Sequence, residues 1–81
     1  MDAAAYGRLR WRCRRGMKEL DVMLMRWLER RWPDADHSSR SEFEWLLEQP
    51  DPDLADWLLG GNRPPGQARA SLVDEIVRIP P

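Results

Sequence analysis

Apolar residues recur at spacings of three and four along most of the chain, and no run of β-branched residues alternates with polar ones between turns. The pattern predicts an all-α protein: a compact bundle of about five short helices, with residues 1–81 as a single domain.

Residues 3–14 open the series. Tyr6, Leu9 and Cys13 share one side, and Arg8, Arg10, Arg12, Arg14 and Arg15 fill most of the rest. Gly16 then reads as a C′ residue and a chain reversal, because glycine takes positive φ without a Cβ clash. Residues 17–32 carry the strongest stripe, Met17, Leu20, Leu24, Trp27 and Leu28. Val22 and Met25 lie off that stripe, which predicts a central helix covered on more than one side. Pro33 ends it.

Residues 34–38, with His37, read as loop. Ser39 and Glu42 stand at capping-box spacing and open a helix that buries Phe43, Leu46 and Leu47 before Pro50. Asp51, Pro52 and Asp53 then read as N-cap, first helical position and first-turn acid. The inner face of that short helix is Leu54, Trp57 and Leu58, and Gly60-Gly61 stops it. Residues 62–66 form a Pro/Gly linker. Residues 67–79 form the last helix, with Leu72, Val73, Ile76 and Val77 inward and Pro80-Pro81 as the stop.

Composition narrows the function classes. A chain of 81 residues with 42% hydrophobic and 33% charged residues folds, but its core is thin. Five Trp supply large burial at low side-chain entropy, and the same residue type anchors interfaces. Trp27 and Trp57 lie on apolar stripes and read as core. Trp11 lies off the first stripe and stands open between a spare aromatic and an interface anchor. Cys13 is the only cysteine, and it reads as a small buried residue. One thiol with no CxxC points to a reducing compartment and to no structural zinc. Residues 1–7 lack the apolar core of a signal peptide, and no apolar run suits a membrane span. A cytoplasmic address without membrane insertion follows.

Charge is uneven. Residues 1–31 hold nine Lys/Arg against four Asp/Glu, and residues 32–81 hold four against ten. The two parts attract each other, and the arginines of residues 8–15 raise nucleic acid as a partner class. The net charge of −1 and the absence of a helix-turn-helix, zinc-finger or RNA-binding signature count against it.

Catalytic constellations are missing. His37 has no orienting scaffold, Gly60-Gly61 leads into no phosphate cradle, and helix capping accounts for Asp51 and Asp53. The sequence reads as a binding protein and not an enzyme. The feature that stands out is Arg15-Gly16-Met17-Lys18-Glu19. Arg15 and Glu19 are four apart around the Gly16 corner. Two readings stay open: a charged turn with a modest ion pair, or a rigid corner displaying a guanidinium and a carboxylate to a partner.

That pentapeptide resembles the RGxxE motif of the succinate dehydrogenase assembly factor family, which promotes flavinylation. The context from Trp11 through Asp21 is similar to the family's first block. Leu46-Leu47-Glu48, Asp51-Pro52-Asp53-Leu54 and Trp57-Leu58 are similar to its second. The likeness covers residues 6–60. It implies a five-helix assembly factor that grips the flavoprotein subunit of succinate dehydrogenase, and often of fumarate reductase, and promotes its covalent FAD attachment. In that family the factor is not the catalyst. A histidine of the flavoprotein becomes bonded to the flavin, and FAD belongs to that partner, so no cofactor is expected to be held stably here. Arg15, Gly16 and Glu19 match the family's functional residues, and Met17 and Lys18 its variable positions. With the flanks, the expected partner-binding set is Arg8, Trp11, Arg14, Arg15, Gly16, Met17 and Glu19, acting from a monomer. An antitoxin role, an older assignment in the family, and nucleic-acid binding by the arginines stand as alternatives.

Overall fold

The computed structural model describes residues 3–80; Pro81, read as part of the terminal stop, lies outside them. The described residues form α1 (Ala3–Arg12), α2 (Lys18–Arg30), a 3-10 turn at Trp32–Asp34, α3 (His37–Leu47), α4 (Asp51–Leu58) and α5 (Gln67–Arg78), with no strand. The all-α expectation holds.

Helix α2 is the central element and packs against α4, α5 and the 3-10 turn. Its stripe, Leu20, Leu24, Trp27 and Leu28, is buried, together with Leu9 and Cys13 from the α1 side. Phe43, Leu46 and Leu47 of α3, Leu54 and Leu58 of α4, and Leu72, Val73 and Ile76 of α5 close over it. Full burial of each aliphatic side chain is worth about 1.5–3 kcal/mol. Aromatic rings set the packing at the centre. Trp27 stacks on Phe43 with centroids 4.4 Å apart, and Trp32 meets both rings edge-on at 6.2 and 6.0 Å. The Trp27 Nε1–H donates to Glu75 Oε2 at 2.7 Å, so the one polar atom of that side chain is satisfied. Trp57, read as core, is only partly buried. It stacks on Trp45 at 5.7 Å, and the Arg69 guanidinium lies 3.8 Å from the Trp45 ring centre.

The structure moves several boundaries. Met17 is not on the buried stripe; it is the extended N-cap of α2 and is exposed. Val22 is 43% exposed, so α2 is not covered on every side, while Met25 is half-buried. Gly16 lies four residues beyond the end of α1 and is not its C′ residue, yet its φ of +83° makes the reversal that its sequence position predicts.

His37 is the first residue of α3, and Asp36 caps that helix in place of Ser39, its side chain accepting from the Ser39 N–H at 2.8 Å. A carboxylate three residues before an N–H is the stronger acceptor, and the bond holds the Asp36 carboxyl below its ordinary value. Glu42, released from capping, takes the Arg69 Nε–H at 2.8 Å. Helix α4 is capped by Pro50, whose carbonyl accepts from Asp53 N and Leu54 N at 3.1 Å, so Asp51 is not the cap and its carboxylate is free for another partner. At the end of α5, Val77 is exposed and Ile79 buried, because the chain turns extended at Ile79 (φ −62°, ψ 126°) and folds back onto the core.

Among the described residues two ion pairs join the basic first part to the acidic remainder, Arg15–Asp51 at 2.9 Å and Arg31–Glu75 at 4.0 Å. The pairs Arg10–Glu29, Arg63–Asp74 and Arg69–Glu42 form within one part.

Candidate functional site

The link between α1 and α2 runs through residues 13–17. Three of its features are local. The N–H groups of Cys13 and Arg14 bond back to α1 carbonyls at 3.0–3.2 Å, Gly16 turns the chain at positive φ, and Met17 starts α2 without a side-chain cap. A Cβ built on Gly16 would meet no atom within 4 Å. Glycine is needed here for its backbone and not for internal space, and any larger side chain would stand out from the corner.

Arg15 and Glu19 do not pair with each other. The Arg15 side chain is 16% exposed and turns inward. Its Nε–H donates to Asp51 Oδ1 at 2.9 Å, Nη1 to Leu47 O at 2.8 Å and Arg12 O at 3.2 Å, and Nη2 to Gln49 O at 2.5 Å. Four of the five N–H groups of the guanidinium are thereby used. The Arg15 backbone N–H donates to Asp21 Oδ1 at 2.7 Å. One residue so ties together the end of α1, the first turn of α2, the end of α3 and the start of α4. Two of the carbonyls it takes, those of Arg12 and Leu47, are ones a helix end leaves without partners, and that of Gln49 lies in the link to α4.

Glu19 is the converse. It sits in the first turn of α2, exposed, with no hydrogen bond or ion pair among the described residues. Beside it, Lys18, Val22, Met23, Arg26 and Leu59 line a shallow groove of about 460 Å³. Val22 and Leu59 are 43% and 46% exposed there, an apolar floor under a charged rim.

The flanking residues of α1 and the link form a second, separate depression. Trp11 is 69% exposed, with the Arg14 guanidinium 5.8 Å from its ring centre. Together with Gly7, Arg10 and the half-buried Met25 of α2 they edge a depression of about 270 Å³. Met17 is exposed at the corner. Arg8 is set apart from them: with Ala5, Leu9 and Arg12 it lines a separate depression that Glu44 of α3 closes. Cys13 lies beneath the corner, fully buried, and burial pushes its thiol from an ordinary 9.0 up to about 12 against the opposing field of Arg15.

Sequence reasoning missed Asp21 and Asp51 as partners of Arg15, because helix capping was a sufficient account of Asp51. It also missed the apolar groove, whose one signal was Val22 standing off the α2 stripe.

A family of proteins described as the flavinator of succinate dehydrogenase matches this chain over residues 7–80. The chain belongs to that family. Among relatives of this flavinator family, the FAD assembly factor SdhE of Photobacterium profundum is 44% identical over 70 residues, covering 86% of this chain and 80% of its own length. The FAD assembly factor SdhE of Aliivibrio fischeri is 43% identical over 76 residues, 94% of this chain and 88% of its own. That of Coxiella burnetii is 39% identical over 78 residues, 96% and 95% of the two chains. No solved structure matches the chain. Among the described residues no helix is long and apolar enough to cross a membrane, and no His/Cys/Asp/Glu cluster is placed to hold a metal.

Proposed function

We propose that this protein binds the flavoprotein subunit of succinate dehydrogenase and promotes the covalent attachment of its FAD, with the Gly16 corner as the gripping surface. One observation carries the assignment of the surface. Among the described residues Glu19 is an exposed carboxylate without a partner, three residues from a glycine around whose Cα no atom crowds. A carboxylate so placed makes charge-assisted hydrogen bonds to a partner at little folding cost.

Trp11 and Arg14 offer a large aromatic face under a cation, and Met17, Val22 and Leu59 add apolar contact around Glu19. Arg8 stands apart from this contact surface, in its own depression beside Glu44. Arg15 contributes from beneath by holding the corner. The work done is positioning. The factor holds the flavoprotein so that its own histidine and flavin meet, while FAD stays with the flavoprotein. The factor is accordingly a monomeric, cytoplasmic binding protein and not an enzyme, and a fumarate reductase flavoprotein is a second client.

The test is deletion of the gene, followed by in-gel flavin fluorescence of the denatured flavoprotein subunit. Loss of the covalent flavin, restored by the wild-type chain and not by Glu19→Ala, is the expected result. Full flavinylation in the deletion strain would refute the assignment.

A further inference from the structure

Residues 13–17 have little backbone bonding of their own between the last α1 carbonyls and the first α2 bond, Asp21 N–H to Met17 O at 2.9 Å. Arg15 fixes this link in two directions. Its backbone N–H reaches Asp21 Oδ1 at 2.7 Å, which locks the corner to the first turn of α2, the turn that carries Glu19. Its guanidinium reaches Asp51 Oδ1 and the carbonyls of Leu47 and Gln49, which lock the same corner to the α3–α4 junction. Asp21 and Asp51 both lie outside the RGxxE motif.

We propose that Asp21 and Asp51 are positioning residues of the partner-binding corner, setting through Arg15 the direction in which Gly16 and Glu19 face the flavoprotein. This rests on the reading that the corner is the binding surface. Asp21 does for α2 what its N-cap Met17 does not, tying the incoming chain to the helix start. Without the two carboxylates the corner samples other directions, and only a fraction of molecules is competent to bind. The apparent affinity then falls by that fraction while the bound complex is unchanged.

The experiment uses the full chain with purified apo-flavoprotein and free FAD. Asp21→Asn keeps an oxygen to accept the Arg15 N–H; Asp21→Leu keeps the size and removes the acceptor. Two quantities are read: the concentration of this protein that gives half-maximal flavinylation, and amide hydrogen exchange at Arg15 and Gly16 in the free protein. Asp21→Leu is expected to raise the half-saturating concentration about tenfold, to leave the saturating rate unchanged, and to speed exchange at both amides. Asp21→Asn is expected to match the wild type in all three.

Asp51→Asn and Asp51→Ala repeat the comparison from the other end of the clamp and decide the matter if Asp21→Leu does not fold. Wild-type half-saturation in Asp21→Leu or Asp51→Ala overturns the proposal. So does an Asn variant as weak as its apolar counterpart with exchange unchanged, since the carboxylate would then meet the partner through its charge. Glu19→Ala in the same series separates the two levels. If it also half-saturates as the wild type, the binding-surface reading fails; if it alone is weakened, only the positioning role fails.

Discussion

Arg15 Nε and Asp51 Oδ1 meet at 2.9 Å across 36 residues of sequence, and that pair converts the first residue of the RGxxE motif from a displayed charge into an internal clamp. Arg15 and Glu19 are neighbours in the motif, but one faces the protein and the other faces solvent. Their substitutions therefore have different consequences, whereas the sequence alone puts both at an exposed corner.

Arg15→Ala strands the carbonyls of Leu47 and Gln49 and leaves Asp51 unpaired. The expected cost is roughly 2–3 kcal/mol, a fall in Tm of about 10 °C or more for a domain of this size. Glu19→Ala removes no internal contact and should leave Tm within about 4 °C of the wild type. Flavinylation should fall in both. Thermal unfolding beside in-gel flavin fluorescence checks the pair; equal Tm values for the two variants would contradict the clamp.

Gly16→Ala and Gly16→Arg share the same backbone strain at φ +83°, roughly 1–2 kcal/mol for an L-residue. Neither meets a neighbouring atom. Both should fold with similar Tm, and only the arginine should abolish capture of the flavoprotein in a pull-down. Equal binding by the two would show that the bare Cα is not an approach for the partner.

The groove beside Glu19 supplies a test of the apolar contact. Val22→Glu and Leu59→Glu change side chains that are nearly half exposed, so folding stability should move by less than about 1 kcal/mol. At an interface the buried, unpaired carboxylate should weaken binding to the flavoprotein at least about tenfold. Isothermal titration against the purified flavoprotein reads this directly.

Cys13 should be inert in the folded protein. Its thiol is buried and pushed up to about 12, so almost no thiolate forms below pH 9. Alkylation at pH 8 should proceed only after unfolding by denaturant. The linkage has a sign. The unfolded thiol loses its proton from about 9 upward while the folded one keeps it, so this group lowers stability as pH rises from 9 toward 12. Denaturant titrations of the wild type and Cys13→Ala at pH 8 and 10 should show a steeper loss in the wild type.

The sequence by itself determined the helices, most of their core faces and the place of the corner. Those depend on local physics: the apolar repeat of Leu20, Leu24, Trp27 and Leu28, the proline stops, and a glycine where the chain must reverse. It also carried the motif that led to the family. Local spacing could not say which groups bond across the bundle. A carboxylate such as Asp51 serves equally well as a helix cap or an arginine partner until the fold brings a guanidinium within 2.9 Å of it. For the same reason Val22, Val77 and Trp57 read as inward from their apolar character and local spacing, and only packing left the first two exposed and the third half covered. Burial and long-range hydrogen bonds depend on which elements become neighbours, and tertiary structure alone decided that Arg15 turns in while Glu19 faces out.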